Sequence, residues 1–256
     1  MQTRSASQFS RLRSILSRSL SGLDYLLFPP HCILCQASIC RSDDGLCPDC
    51  WQQLAQNVAG DYCRRCGRSV SPFGIINGRC GACQEEEFAF DGIVRAGVYE
   101  TALRSLILAF KFQQRTEYAP RISRMMTDAL TVSGIARSID YFVPVPLHWR
   151  RRLERGYNQA LCLSRGICTK SARINTDLVR TRYTRRQWSL TDTQRRTNVK
   201  NAFALRHGHP FEGKTICLVD DITTSGATLN ECAKVLKQAG AKKVYTIVAA
   251  VAHSDR

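Results

Sequence analysis

Asp220 and Asp221 stand side by side behind four apolar residues, Ile216, Cys217, Leu218 and Val219, and ahead of Thr223, Thr224, Ser225, Gly226, Ala227 and Thr228. The apolar run reads as a buried strand, and the hydroxyl-rich turn with one glycine reads as the opening of a helix. Unpaired N–H groups at a helix start attract an anion, Gly226 lets the backbone come close, and Thr223, Thr224, Ser225 and Thr228 add hydroxyl donors. The two carboxylates offer acceptors to vicinal sugar hydroxyls or, less directly, to a hydrated Mg2+. The segment therefore predicts a phosphate cradle beside a diol clamp. It matches neither the GxxxxGK[ST] phosphate loop nor the GxGxxG dinucleotide fingerprint.

The second group with chemical potential is the cysteines. Eight of the 13 form four CxxC pairs: Cys32/Cys35, Cys47/Cys50, Cys63/Cys66 and Cys80/Cys83. A two-residue gap with a tight turn aims both sulfurs at one point, and two such knuckles complete a tetrahedral shell. Two structural Zn2+ ions are expected. Sequential pairing and a cross-braced arrangement use the same ligands and both stay open at this stage. Cys40 and His31 read as bystanders of the first site. Four pairs in one stretch without a neighbouring βαβ pattern favour metal over redox dithiols. Gly67, just after the third pair, and Gly81, inside the fourth, suit tight knuckles.

The chain has 256 residues and a formal charge of +16, and its 44% apolar share suffices for a real core. Wholesale disorder and fibrous repeats are excluded. No uncharged apolar run approaches the roughly 18 residues that cross a bilayer, so no transmembrane segment is expected. Between residues 148 and 200, fourteen Lys or Arg face only Glu154, Asp177 and Asp192, which predicts a polyanionic or phosphorylated partner there. The first 30 residues read as a basic amphipathic helix carrying Phe9, Leu12, Ile15, Leu16, Leu20 and Leu23, and lack the continuous apolar core of an export signal. With reduced, metal-binding cysteines, this points to a cytoplasmic location.

These groups must be held by elements that the periodicity outlines. Residues 1–30 form the N-terminal helix, 31–90 a cysteine-rich double zinc ribbon, and 91–256 an α/β domain. Within the last, strands are expected over 92–99, 140–145, 215–219 and 244–252, and helices over 159–168 and 228–239. Two more helices carry Leu103, Leu106, Ile107 and Phe110, and Ile122, Met125, Met126 and Ala129. Alternating β and α predicts a parallel sheet, whose ligands gather at the carboxyl ends of the strands.

Residues 216–228 resemble the 5-phosphoribosyl-1-pyrophosphate (PRPP) motif of type I phosphoribosyltransferases. The four CxxC pairs, Phe110-Lys111-Phe112, the run from Val143 to His148, the run from Arg155 to Ala160, Thr184 with Gln187 and Leu190, and Arg195-Arg196-Thr197-Asn198-Val199 followed by Ala202-Phe203 are together similar to the ComF family. The resemblance covers the chain from about residue 29 to 252. It implies a double zinc ribbon followed by a type I phosphoribosyltransferase fold and an association with DNA uptake in natural competence. By the same resemblance, Asp220 and Asp221 would hold the ribose hydroxyls and residues 224–228 the 5-phosphate. The turn with Pro146, Leu147 and His148, backed by Arg150, Arg151 and Arg152, would meet pyrophosphate with Mg2+. Residues 184–198 would be a mobile loop bringing Arg195 and Arg196 to the same group.

One departure bears on activity. Many base-using relatives in the wider superfamily carry an acid where this chain has Thr224, and a hydroxyl is a poor proton acceptor at neutral pH. A purine acceptor is therefore disfavoured. Two functional classes follow: an Mg2+-dependent phosphoribosyl transfer from PRPP to an unidentified acceptor, and a non-catalytic PRPP or nucleotide sensor. In the second, the basic surface and ribbons would engage single-stranded DNA or uptake proteins.

Overall fold

The computed structural model describes residues 29–39, 45–58, 60–71, 73–167, 172–184 and 191–252. Most of the expected N-terminal helix, together with Cys40, Cys168, Gln187 and Leu190, lies outside these residues. The chain divides into two compact units, 1–54 and 55–256.

The first unit holds a knuckle in which His31 bridges Ser38 antiparallel, Cys32 N donates to Ala37 O (2.8 Å) and Gln36 N donates to Cys32 O (2.9 Å). Helix α1 (Pro48–Val58) starts at its second cysteine pair. The second unit, which begins within α1, contains a knuckle of the same construction. Tyr62 bridges Ser69, Cys63 N donates to Arg68 O (2.9 Å) and Gly67 N donates to Cys63 O (2.7 Å). A two-stranded ribbon follows, β1 (Ile75–Ile76) and β2 (Arg79–Cys80), closed by Asn77 and Gly78. Both have positive φ (51° and 75°), as the tight hairpin turn that matches strand twist requires.

The rest of the unit is built from β3 (Gly92–Val98), α2 (Thr101–Phe112), α3 (Ala119–Ser133), β4 (Tyr141–Pro144), α4 (Trp149–Arg155), α5 (Gln159–Ile167), β5 (Arg173–Ile174), β6 (Leu178–Arg180), α6 (Asp192–Val199), β7 (Phe203–Leu205), β8 (Thr215–Thr223), α7 (Ala227–Gln238) and β9 (Lys243–Val251). Five strands make a sheet of order β3-β9-β8-β4-β5, parallel at every pairing. Its middle strands are buried on both faces and accordingly read as nearly unbroken apolar runs. Helices α3 and α5 pack together against the sheet, and α7 packs against β8, β9 and strand β7 of the antiparallel β6–β7 hairpin.

Three features depart from the sequence expectation. Strand β8 runs four residues further than 219, so both aspartates lie inside it. A short helix, α4, stands where arginines were placed behind a turn; its seven residues carry no apolar stripe to announce it. Part of the expected mobile loop is helix α6, whose start is fixed by a capping box between Thr191 and Gln194.

The two knuckles use different residues at their left-handed position, Gln36 (φ 62°) and Gly67 (φ 81°). Backbone strain alone does not decide this. A Cβ on Gly67 would meet Val251 Cγ2 at 2.9 Å and Ile93 Cδ1 at 3.3 Å, whereas the second knuckle lies directly on β3, with Ile93 N donating to Arg64 O at 2.9 Å. Gly67→Ala should therefore destabilise the second unit by about 1–3 kcal/mol through overpacking, while Gln36→Gly changes stability by less than that. Denaturant midpoints of the two variants check this.

Candidate active site

The carboxyl ends of β8, β4 and β9 open into a cleft of about 720 Å3, within the size range of small-molecule sites. Because successive strand residues point to opposite faces, Asp220 and Asp221 leave β8 in opposite directions and reach the cleft from either side. Asp221 is buried; its Oδ1 accepts from Lys111 Nζ of α2 at 2.9 Å and from Ile222 N at 2.7 Å. Asp220 Oδ1 accepts from Asp221 N at 2.9 Å. Burial, and then the neighbouring Asp221 carboxylate, push Asp220 up to about 7, while Lys111 and Arg180 act in the opposite direction.

Of the residues singled out in the sequence, Asp220, Asp221, Thr223, Thr224, Thr228, Pro146, Leu147 and Arg195 line this cleft. Ser225, Gly226 and Ala227 form the turn from β8 into α7, with Gly226 left-handed at φ 72° as the helix N-cap. Three expected contacts lie elsewhere. His148 is buried and caps α4, its Nδ1 accepting from Arg150 N at 3.3 Å, with its ring edge-on to Tyr183 at 5.3 Å. Burial, then Arg150, Arg180 and Arg151, hold its pKa down, which keeps the ring neutral and suited to accepting. Arg150 lies over Trp149 (5.2 Å) and Tyr183 (5.7 Å). Arg196 turns away to Glu86 Oε1 at 2.9 Å.

The cleft also contains groups that sequence reasoning assigns no role. Lys111 sits in the last turn of α2, whose C-terminal end is tied to the 155–158 segment by Tyr157 Oη donating to Phe110 O and by the Arg155 guanidinium over Phe112 (5.3 Å). Arg180, at the end of β6, donates to Thr184 Oγ1, and Arg151 donates to Thr184 O at 2.8 Å. Burial, then Arg151, depress Arg180 to about 10, so it stays charged at neutral pH. Arg180 Nε and Gln159 Nε2 are buried donors without a hydrogen-bond partner among the described residues. Lys111 carries a faint signal, a lone cation between two phenylalanines; Arg180 in Leu-Val-Arg carries none.

Both cysteine sets assemble sequentially: Cys32, Cys35, Cys47 and Cys50 in one, Cys63, Cys66, Cys80 and Cys83 in the other, with all sulfurs of a set within 4.8 Å of one another. Sulfur–sulfur separations of 3.5 Å (Cys35–Cys47, Cys66–Cys80) and 3.6 Å (Cys63–Cys83, Cys80–Cys83) exceed the roughly 2.05 Å of a disulfide. They approach the edge, about 3.8 Å, of a tetrahedron with zinc–sulfur bonds near 2.3 Å. The donor sets fit structural zinc, with four thiolates and no position left for water.

A double zinc ribbon domain matches residues 23–84 and a phosphoribosyl transferase domain residues 170–256. Competence protein F of Haemophilus influenzae is 32% identical over 220 residues, covering 84% of this chain and 93% of that one. The chain belongs to the ComF family. The DNA utilization protein YhgH of Salmonella typhi, another member, is 31% identical over 224 residues, covering 86% and 96%. Among solved structures, the glutamine phosphoribosylpyrophosphate amidotransferase of B. subtilis aligns with 20% identity and a TM-score of 0.33, over 51% of this chain and 25% of that one. The two domain matches and the parallel sheet flanked by helices give the expected architecture, a double zinc ribbon followed by a phosphoribosyltransferase-type domain. Among its described residues no helix is long and apolar enough to cross a membrane.

The electrostatics of the pair can be read directly. In a carboxyl-labelled NMR titration of the free protein, Asp220 should titrate near 7. Asp221→Asn, which removes a like charge, should lower that midpoint, and Lys111→Met, which removes a cation, should raise it. No movement in either variant would contradict the arrangement.

Proposed function

We propose that the cleft binds PRPP as its Mg2+ complex and transfers the phosphoribosyl group to an acceptor. The observation that carries this reading is the pair of unpartnered buried donors, Arg180 Nε and Gln159 Nε2, in the same cleft as two carboxylates and a hydroxyl-rich helix start. A buried donor left unpaired costs about 1–3 kcal/mol, which an anionic ligand in the cleft would recover. Asp220 and Asp221 would take the ribose hydroxyls, and the 223–228 turn the 5-phosphate. Arg151, Arg155, Arg180 and Arg195 would take the pyrophosphate, together with the turn at Pro146 and Leu147. Mg2+ fits oxygen donors such as these carboxylates and would add positive charge at the leaving group.

In the reaction, the bond from C1 of the ribose to pyrophosphate breaks and one from C1 to the acceptor forms, and the acceptor's proton goes to solvent or to the departing pyrophosphate. The transition state resembles the oxocarbenium ion of sugar transfer, so neutralising the leaving group and placing the nucleophile are the protein's main contributions. Thr224 offers no base, which favours acceptors that need none. One relative is named for competence and another for DNA utilization, and we extend the reading to such a role, in the cytoplasm as the sequence implies.

A non-catalytic reading has its own observation. Trp149 is 60% and Tyr183 43% exposed, with Arg150 lying over both rings and Arg151 over Tyr183 at 5.6 Å. Exposed aromatics interleaved with guanidiniums make a stacking platform for the bases and phosphates of single-stranded DNA.

Calorimetric titration of the zinc-loaded protein with PRPP, with and without Mg2+, tests the first reading. Binding should require Mg2+ and be lost in an Asp220→Asn/Asp221→Asn double variant. No binding to the unaltered protein would overturn it. For the platform, a single-stranded oligothymidine should quench Trp149 fluorescence, with affinity falling steeply as salt rises. Trp149→Ala with Tyr183→Ala should weaken it by roughly 1–3 kcal/mol per lost stack, and unchanged affinity would exclude this surface.

A further inference from the structure

The second cysteine site is joined to the phosphate turn through a short chain of contacts. Arg65 lies inside the Cys63–Cys66 knuckle. Its guanidinium donates to Phe88 O at 2.5 Å and to Phe90 O, and lies over both rings at 5.7 and 5.9 Å. The two rings stack on each other at 4.7 Å. They close the back of the turn: a Cβ on Gly226 would sit 3.2 Å from Phe88 Cε1 and 3.9 Å from Phe90 Cε1. Between them, Ala89 N donates to Asn230 Oδ1 at 2.6 Å, and Asn230 N makes the first helical bond of α7, to Gly226 O, at 2.8 Å. Residues 88–90 thereby grip both ends of the helix start.

We propose that the Cys63, Cys66, Cys80 and Cys83 site is a brace that fixes the 224–228 turn, with Arg65 and Phe88 as positioning residues, so that metal occupancy there sets the cleft's affinity for a phosphorylated ligand. The ligand rests on the reading given above; the brace itself does not.

Physical reasons support each link. The apolar cluster around the second site consists of its four cysteines, with Val70 and Phe88 packed against it. So small a cluster holds its shape through the metal, because binding free energy at a structural zinc site is folding free energy. Gly226, lacking a Cβ, has backbone freedom that a packed aromatic must remove if the turn is to present its N–H groups in one arrangement. Arg65 suits its place because a planar guanidinium reaches two carbonyls at once, which an ammonium on a flexible stem does not. A parallel tie supports the same end: Glu86 Oε1 accepts from Arg68 beside the knuckle (3.4 Å) and from Arg196 of α6 (2.9 Å).

The test uses full-length, zinc-loaded protein with Arg65→Lys, Phe88→Ala and Phe88→Leu, and a Cys80→Ser/Cys83→Ser variant lacking the second site. Zinc content is measured throughout, together with amide exchange over 224–231 and over α3 as a control. Arg65→Lys and Phe88→Ala should keep two zinc ions per chain and normal α3 protection, yet exchange the turn amides roughly tenfold faster, the first by losing about one charge-assisted hydrogen bond and the second by losing the ring packed on Gly226. Phe88→Leu, which keeps apolar bulk over Gly226, should restore most of the protection. The Cys variant should lose protection at the turn with one zinc remaining; if it unfolds, the Arg65 and Phe88 variants still decide the matter. Turn exchange unchanged in both of them would overturn the brace. PRPP titrations with Mg2+ should show the same order of weakening. If PRPP fails to bind even the unaltered protein, the ligand assignment falls, and the exchange data still judge the brace.

Discussion

Two adjacent carboxylates on the central strand of a parallel sheet set the terms for the surrounding structure. Alternation along a strand sends Asp220 and Asp221 to opposite faces, so cations are drawn from more than one element. Lys111 from α2 meets Asp221 at 2.9 Å and also bears on Asp220, on which Arg180 from the β6–β7 hairpin acts as a second cation. The chain devotes separate elements to these tasks. The end of α2 is pinned by Tyr157 and Arg155, and the end of β6 by the hairpin to β7 and by contacts at Thr184. Breaking the Lys111–Asp221 pair would leave a charge in a place from which water is largely excluded, and such a loss costs more than an exposed ion pair contributes.

The cations do not merely cancel the acids. Lys111, Arg151, Arg155, Arg180 and Arg195 share the cleft with Asp220, Asp221 and Glu154, leaving it cationic. A cleft with acceptors on its central strand and surplus donors around them matches a ligand that has sugar hydroxyls at one place and phosphates at several. The raised pKa of Asp220 fits the same purpose. Burial and a like charge hold Asp220 near 7, so the free cleft sits where loss of one proton, or arrival of one cation, completes its charge pattern.

Much of this was legible in the sequence because it depends on local rules. Four CxxC pairs force knuckles whatever the rest of the chain does, and an apolar run ending in Asp220-Asp221 and a hydroxyl-rich turn must be a strand entering a helix. Arg180 was not legible, since three residues reading Leu-Val-Arg are ordinary for an edge hairpin and only tertiary packing aims the guanidinium inward. His148 went the other way. Its place beside the expected pyrophosphate turn suggested a ligand contact, but it is the residue before a helix that short-range periodicity could not reveal, and there it caps. Arg195 and Arg196 are adjacent in sequence and were grouped together. On a helix, neighbours lie about 100° apart, so one lines the cleft while the other meets Glu86.

The position of Phe88 and Phe90 bears on why a zinc ribbon and this sheet share one chain. A turn that presents backbone N–H groups to an anion needs glycine for close approach, and glycine makes the same turn floppy in the absence of ligand. Something outside the turn has to supply the stiffness, and in this chain it is a pair of rings held by a guanidinium that emerges from between two metal-binding cysteines. The knuckle in turn needs a surface to lie on, which β3 provides through Ile93, with Gly67 permitting the approach to Val251. Buried Arg95 on β3 completes the attachment by donating to Gly67 O at 2.8 Å and Ser69 Oγ at 2.9 Å, with its guanidinium over Tyr62 at 4.8 Å. Each part makes up what the other lacks: the ribbon has too small a core to order itself without metal and a surface to rest on, and the glycine-bearing 224–228 turn gains from the ribbon the order that its own side chains do not supply.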